Sequence, residues 1–151
     1  MRFICYNHCP SLSYCEIFSK RLGHTQHTQY HLKPLPHFEH TIISVALGQD
    51  HTLALTKSGE VLSWGLNRFS QLGYVVEHSS ANASSARLEE PIQSSPRKVH
   101  GHLRKEIVRG VAASKCASAC WTDREVFTWG TNNGQLGNEC YVPDLRKMNV
   151  R

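Results

Sequence analysis

An internal repeat constrains the fold of this chain of 151 residues more than any other feature. Residues 61–67, Val-Leu-Ser-Trp-Gly-Leu-Asn, recur 65 residues later as residues 126–132, Val-Phe-Thr-Trp-Gly-Thr-Asn. Downstream, the Gln-Leu-Gly of residues 71–73 returns at 135–137, a shift of 64, and upstream the best shift is 66. A β-strand cannot slip by one residue without turning its buried face to solvent, whereas turns absorb deletions. The repeat unit is therefore predicted to consist of strands joined by turns.

Short strands are predicted throughout the first repeat. Leu53 and Leu55 alternate with smaller or polar neighbours, which is the period-two spacing of a strand. Gly, Asp, Lys and Ser cluster between the apolar runs and indicate turns. We expect strands near residues 42–47, 51–56 and 60–65, turns at 48–50 and 57–59, and a fourth strand near 97–99.

The order of the special residues in the repeat points to a family. The first copy reads Gly48-x-x-His51-Thr-Leu-Ala-Leu-Thr-x-x-Gly59-x-Val-x-x-Trp64-Gly65-x-Asn67, followed by Gln71-Leu72-Gly73. This pattern resembles the repeat of the regulator of chromosome condensation family, and the likeness covers residues 42–137. The resemblance implies an all-β fold, a partial β-propeller with two antiparallel blades of a seven-bladed ring. The chain would then be a fragment of a larger protein, with an irregular N-terminal segment.

A narrower resemblance concerns residues 64–73, residues 110–113 and Trp121-Thr122. These phrases are similar to the inhibitors of Bruton's tyrosine kinase, a group that carries ankyrin repeats before the propeller and BTB domains after it. Neither is visible in this sequence. The resemblance implies a non-catalytic protein–protein interaction module within a larger adaptor or scaffold, with kinase inhibition or ubiquitin-ligase adaptation as specific roles. The founding member of the family implies an alternative, guanine-nucleotide exchange on a small GTPase.

The repeat and the shifts in composition divide the chain into five segments. They are a Cys- and His-rich lead-in at 1–41 that need not be native, a first repeat at 42–73, a polar loop and blade-linking strand at 74–106, a second, degenerate repeat at 107–137, and a tail or start of the next blade at 138–151. Between residues 87 and 109, six Lys or Arg face three Glu, which suits either an ordinary solvated face or a site for phosphate or acidic protein.

The residues that the motif orders are expected to be structural. They are Gly48, His51, Gly59, Trp64, Gly65, Asn67, Gln71, Leu72 and Gly73 in the first copy, and Trp129, Gly130, Asn132, Gln135, Leu136 and Gly137 in the second. No nucleophile or carboxylate stands at a recognisable catalytic spacing from His51, so we expect its ring to hydrogen-bond neighbouring backbone. The two tryptophans are expected to pack between blades, with ligand stacking as the alternative. In the second copy Ala117 replaces the histidine, which argues against a shared catalytic role.

Six cysteines and ten histidines raise the question of a metal site. The lead-in holds Cys5, Cys9 and Cys15 with six histidines, but their spacings fit no standard zinc module. Cys116 and Cys120 stand four apart with no second pair at finger-like spacing, and buried free thiols are the better interpretation. We expect no metal, no cofactor, no catalytic residue and no enzymatic activity.

Composition limits the partners. No apolar run approaches the roughly 18 residues of a membrane helix, so we expect no membrane association. The net charge of +5 is dispersed among both signs, and no aromatic interleaving marks a nucleic-acid platform, so we expect a protein partner and no nucleic acid. Exposed blade edges also favour self-association. Without an export signal, we expect a reducing compartment, cytoplasmic or nuclear.

Overall fold

A computed structural model describes residue 35 and residues 39–76, 90–137 and 146–148. In these residues eight strands form two four-stranded antiparallel sheets, with the orders β1-β2-β3-β4 and β5-β6-β7-β8. The first sheet comprises β1 (Ile42–Leu47), β2 (His51–Thr56), β3 (Val61–Leu66) and β4 (Ile92–Lys98). The second comprises β5 (Gly110–Ala113), β6 (Ala117–Trp121), β7 (Val126–Gly130) and β8 (Arg146–Met148). A short 3-10 helix, Gly101–Lys105, joins the two sheets.

The prediction of an all-β chain with two antiparallel blades is confirmed. The first three strands lie where the period-two pattern places them, within one residue at each end. The fourth strand is longer than expected and begins at Ile92. Its Ser- and Pro-containing sequence lacks the apolar alternation by which the other strands are recognised.

Strand β2 departs from the expected alternation because all six of its residues are buried. Its two faces contact different parts of the molecule. Leu53 and Leu55 belong to a core cluster shared with the second sheet. Ala54 belongs to a cluster with Leu62 and Trp64 on the opposite face, against which Leu35 packs. A strand that is covered on both faces shows buried residues at every position.

The main apolar core lies between the two sheets. It contains Ala46, Leu53, Leu55, Val61, Val99, Leu103, Val108, Val111, Cys120, Phe127 and Trp129. The largest of these side chains, Phe127 and Trp129, come from the second sheet and are 1% exposed. Each sheet therefore buries one face mainly against the other sheet, which is how repeated blades are stabilised.

Several sequence predictions fall on residues outside the described ones. The Cys- and His-rich lead-in lies there apart from Leu35 and residues 39–41, as do residues 77–89 and most of the tail. No helix within the described ranges is long and apolar enough to cross a bilayer.

Candidate interaction site and the contacts that hold it

Four signature and blade residues form a buried polar network between the two sheets. The Nε2 atom of His51 lies 2.8 Å from the Oγ of Ser118 in β6. Ser118 donates its hydroxyl proton to the backbone carbonyl of Gln71 at 2.7 Å, and Trp129 donates its indole N–H to the same oxygen at 2.9 Å. Because the Ser118 proton is committed, His51 must carry a proton on Nε2 and donate it. One carbonyl of the first repeat thus receives two donors from the second.

The close approach of His51 and Ser118 has the form of a nucleophilic pair but not its accessibility. His51 is fully buried, and Ser118 is 2% exposed. A serine nucleophile must reach its substrate, and its base must receive the hydroxyl proton. Here the proton goes to Gln71, and the hydroxyl receives one from His51. In this arrangement the pair joins the two blades.

Glycines make room for this network. A Cβ on Gly48 would lie 2.1 Å from Cε1 of His51, so only glycine lets the ring pack there. Gly65 and Gly130 occupy equivalent places at the ends of β3 and β7, with φ of +114° and +103°. A Cβ on either would lie within 2.5 Å of the carbonyl oxygen that precedes the neighbouring strand. The Trp-Gly pairs thus place a large side chain beside a close backbone contact.

The loop after β3 is built around two polar signature residues. The Oδ1 of Asn67 accepts the backbone N–H of Leu72 at 3.0 Å, and the Oε1 of Gln71 accepts that of Phe69 at 2.8 Å. Ser63 donates its hydroxyl to the carbonyl of Leu72 at 2.8 Å. These contacts fold the loop back onto the end of the sheet and fix its backbone.

The loop after β7 repeats the same construction. Asn132 Oδ1 accepts the N–H groups of Gly134 and Leu136, at 2.9 and 3.4 Å. Gln135 Oε1 accepts the N–H of Asn133 at 2.6 Å. Thr128, the equivalent of Ser63, donates to the carbonyl of Leu136 at 3.1 Å. Both copies of the motif therefore encode one loop, although the second is one residue shorter.

The tip of each loop faces solvent. In the first loop the tip contains Arg68 and Phe69; Phe69 is 42% exposed, and Arg68 pairs with Glu90. The equivalent tip in the second loop contains Asn133 and Gly134, both exposed. Backbone bonds hold both tips in place, while their side chains differ. We call Arg68 and Phe69 the first loop tip.

Tyr74 ties the first loop to two strands. Its carbonyl accepts the Nδ2 of Asn67 at 2.7 Å, and its hydroxyl donates to the carbonyl of Ser63 at 2.8 Å. The guanidinium of Arg97 in β4 lies 4.7 Å from the centre of its ring. Burial raises the pKa of the Tyr74 phenol to about 12, against the smaller opposing effects of the hydrogen bond and of Arg97.

The two cysteines in the described residues are free thiols. Burial raises the pKa of Cys120 to about 12 and also raises that of Cys116. Both shifts disfavour the thiolate that metal binding and nucleophilic attack require. Within the described ranges, no three His, Cys, Asp or Glu side chains cluster as metal ligands do.

The signature residues named from the sequence lie at the following places. The structure brings His51, Gln71 and Trp129 together, and it places Asn67 with Leu72 and Asn132 with Leu136. Gly59, Gly73 and Gly137 all have positive φ in turns. Trp64 packs on the outer face of the first sheet, away from the network. Sequence reasoning missed Ser118 and Tyr74, because neither belongs to the ordered motif.

The comparisons with known proteins agree with this geometry. Residues 42–71 match the regulator of chromosome condensation (RCC1) repeat. The chain is 37% identical over 117 residues to BTB/POZ domain-containing protein 1 of Schizosaccharomyces pombe, covering 78% of the chain and 8% of that relative. It is also 37% identical over 99 residues to the human inhibitor of Bruton tyrosine kinase, covering 65% of the chain and 6% of that protein. The solved structure of human WBSCR16 superimposes with a TM-score of 0.64 at 25% identity, over 92% of this chain and 33% of that one.

Proposed function

Because this chain carries repeats of the regulator of chromosome condensation family, we propose that it is a non-catalytic protein–protein interaction module, part of a larger adaptor or scaffold. The chain spans 8% and 6% of the two curated relatives described above. The partners and activities proposed here are therefore those of a propeller longer than these two blades.

The observation that carries this proposal is that residues of the loop after β3 have two different roles. Asn67 and Gln71 turn inward and hold the backbone, whereas Arg68 and Phe69 between them face solvent. A partner that docks on the first loop tip meets an aromatic side chain whose backbone is already ordered. Such preorganisation lowers the entropic cost of binding.

The chemistry of the tip suits a protein partner. Phenylalanine and arginine are enriched in the buried centres of protein interfaces. The ion pair between Arg68 and Glu90 leaves both groups partly exposed, so a partner carboxylate can compete for the guanidinium. The second loop tip offers an amide and a glycine in place of these groups. We propose that the first loop carries more of the binding energy.

The finer proposal follows the relatives. One is named an inhibitor of Bruton tyrosine kinase, and another a BTB/POZ domain-containing protein. We propose that the complete propeller restrains a kinase or presents proteins to a ubiquitin ligase that a BTB domain recruits. The first loop tip would contact the restrained or presented protein.

The experiment compares the proteins that co-purify with the tagged full-length protein carrying Phe69→Ala and with the unchanged protein. Truncating an interface aromatic weakens binding by about tenfold or more, so recovery of the direct partner falls in this variant. Lys57→Ala is the matched control, because Lys57 is exposed at the opposite end of β3. It should leave recovery unchanged. Equal recovery from both variants would rule out the first loop tip.

Two further assays separate the finer roles. Added to purified Bruton tyrosine kinase, the full-length protein should reduce autophosphorylation if its propeller restrains the kinase, and Phe69→Ala should reduce that effect. Release of labelled GDP from a panel of small GTPases tests the exchange alternative. Accelerated release would replace the adaptor proposal with nucleotide exchange.

A further inference from the structure

A short motif in β4 lies outside the proposed interaction site. Residues 95–98 read Ser-Pro-Arg-Lys, with the proline directly after the serine and a lysine two residues further on. Of the six prolines in the chain, Pro96 alone follows a serine or threonine. A kinase that requires proline after its target residue therefore has one candidate in this sequence.

The structure makes the serine accessible. Strand β4 is the outer member of its sheet in the order β1-β2-β3-β4, so it pairs with β3 alone within the described residues. The side chain of Ser95 is exposed. Its hydroxyl and its carbonyl both accept the side-chain amide of Gln93, each at 3.0 Å. This contact is itself exposed and leaves the hydroxyl open to an incoming group.

The pairing of β4 with β3 is irregular at this point. Arg97 lies opposite Ser63, and Gln93 lies opposite Gly65. Ser94, Ser95 and Pro96 therefore share the space opposite one residue of β3 and form a bulge. A bulge lifts backbone out of the ladder and re-aims its side chains. Proline has no N–H to contribute to a ladder, and it is tolerated at such edges.

We propose that Ser95 is a phosphorylation site for a proline-directed serine/threonine kinase that prefers a basic residue three positions after the serine. Ser95 Oγ attacks the γ-phosphorus of the Mg²⁺-bound ATP held by that kinase. The bond from Oγ to phosphorus forms, the bond from phosphorus to the β,γ-bridging oxygen breaks, and ADP leaves. The hydroxyl proton passes to the catalytic carboxylate of the kinase.

The neighbouring charges favour the product. A phosphoserine carries roughly −1.5 to −2 charges at pH 7, and here it would stand beside Arg97 and Lys98. Lys98 forms an ion pair with Glu60 in which both side chains are about one-third exposed. Exposed pairs of this kind contribute little to stability, so Lys98 can leave Glu60 to contact a kinase. Ser95 is exposed and belongs to neither apolar cluster, so the modification changes the surface charge and leaves the blades intact.

The test incubates the folded full chain with a cyclin-dependent kinase and Mg²⁺-ATP, followed by mass spectrometry of the intact protein and of its peptides. We expect one phosphate, on Ser95. Ser95→Ala should abolish phosphorylation because it removes the target hydroxyl. Pro96→Ala keeps that hydroxyl but should also abolish phosphorylation, because it removes the proline that the kinase requires. Ser94→Ala is the matched control, because it removes the adjacent hydroxyl and keeps the motif, and it should accept phosphate as the unchanged chain does.

A synthetic peptide of residues 90–101 shows whether the kinase recognises the motif when the fold does not restrict access to it. Phosphorylation of the peptide but not of the folded chain would overturn the proposal, because the edge would then be closed to the kinase. If neither the peptide nor the folded chain accepted phosphate, the kinase would not recognise the motif, and the proposal would be overturned. Phosphate at any residue other than Ser95 would also overturn the proposal. Tryptophan fluorescence identical to that of the unmodified chain shows that the modified protein is still folded.

Discussion

The hydroxyl of Ser118 bonds on both sides, to His51 and to the carbonyl of Gln71. Removing it leaves a buried donor on His51 without that acceptor, and unsatisfied buried groups are costly. We therefore expect Ser118→Ala to lower the free energy of unfolding by about 1–3 kcal/mol, measured by urea denaturation with tryptophan fluorescence. Ser114→Ala removes an exposed hydroxyl in the turn after β5, whose hydrogen bond to the carbonyl of Ala117 is 3.3 Å long, and it should change the free energy by no more than about 0.5 kcal/mol. Equal losses in the two variants would show that the network adds nothing specific.

Alanine substitutions at two glycines distinguish the cost of backbone strain from the cost of steric conflict. Gly65 and Gly134 have similar φ, +114° and +97°, but a Cβ on Gly65 would lie 2.4 Å from a backbone oxygen, whereas one on Gly134 meets nothing within 4 Å. Gly134→Ala should therefore cost only the strain of positive φ, about 1–2 kcal/mol. Gly65→Ala must also displace backbone, and we expect roughly 3 kcal/mol or more in the same urea assay. Equal costs would mean that the chain relaxes away from the close contact.

At the scale of elements, the strands were predictable where apolar residues alternate or where the repeat compares two copies. The pattern located β1, β2 and β3 because slips between the copies fall in turns. It missed the start of β4, since Ser94, Ser95 and Pro96 carry no strand signal and form a bulge. The apolar pattern also could not show that β2 is covered on both faces. That property depends on what packs against the sheet, which lies far away in sequence.

The loop after β3 provides a prediction about pH. The pKa of Tyr74 is raised to about 12, from 10.0 in the unfolded chain, because burial disfavours the phenolate. Between these two values the folded state binds the proton more tightly than the unfolded state does. The stabilisation is therefore complete below pH 10 and is lost as the pH rises toward 12.

This dependence can be measured directly. The ultraviolet absorbance of tyrosinate, titrated in the folded chain, should show Tyr74 ionising near pH 12, identified by the difference from Tyr74→Phe. The fall in unfolding free energy between pH 10 and 12 should be smaller in Tyr74→Phe than in the unchanged chain. A Tyr74 that titrates near the ordinary value of 10.0 would mean that the loop does not stay closed on the sheet.

At the scale of the whole molecule, equivalent faces of the two sheets differ in their burial. Leu55 in the first sheet is fully buried against the second, whereas its counterpart Trp121 is 41% exposed. The repeat predicts which residues are equivalent, but not which faces meet. The contact of His51 with Ser118 shows the same limit, because it joins non-equivalent positions of the two copies. Spacing within a repeat carries no information about the side chain that the next copy supplies.

Because the main core lies between the sheets, the two blades should lose stability together. Phe127 belongs to the second sheet but packs in the shared core, 1% exposed. Phe127→Ala removes a large buried ring, and such truncations cost about 3–5 kcal/mol. Its effect should cross the interface and reach β2 in the other sheet. We expect faster amide hydrogen exchange in His51–Thr56 as well as in β6 and β7, measured by mass spectrometry of peptic peptides.

The neighbouring residue supplies the control. Val126 precedes Phe127 in β7, so its side chain points to the opposite face of the sheet, and it is half-buried. Val126→Ala should destabilise less and should leave the exchange of β2 unchanged. If Phe127→Ala accelerated exchange only within its own sheet, the blades would be independent units, and the shared core would not couple them. Faster hydrogen exchange in both sheets of Phe127→Ala, with unchanged exchange of β2 in Val126→Ala, would mean that these two blades fold as one cooperative unit.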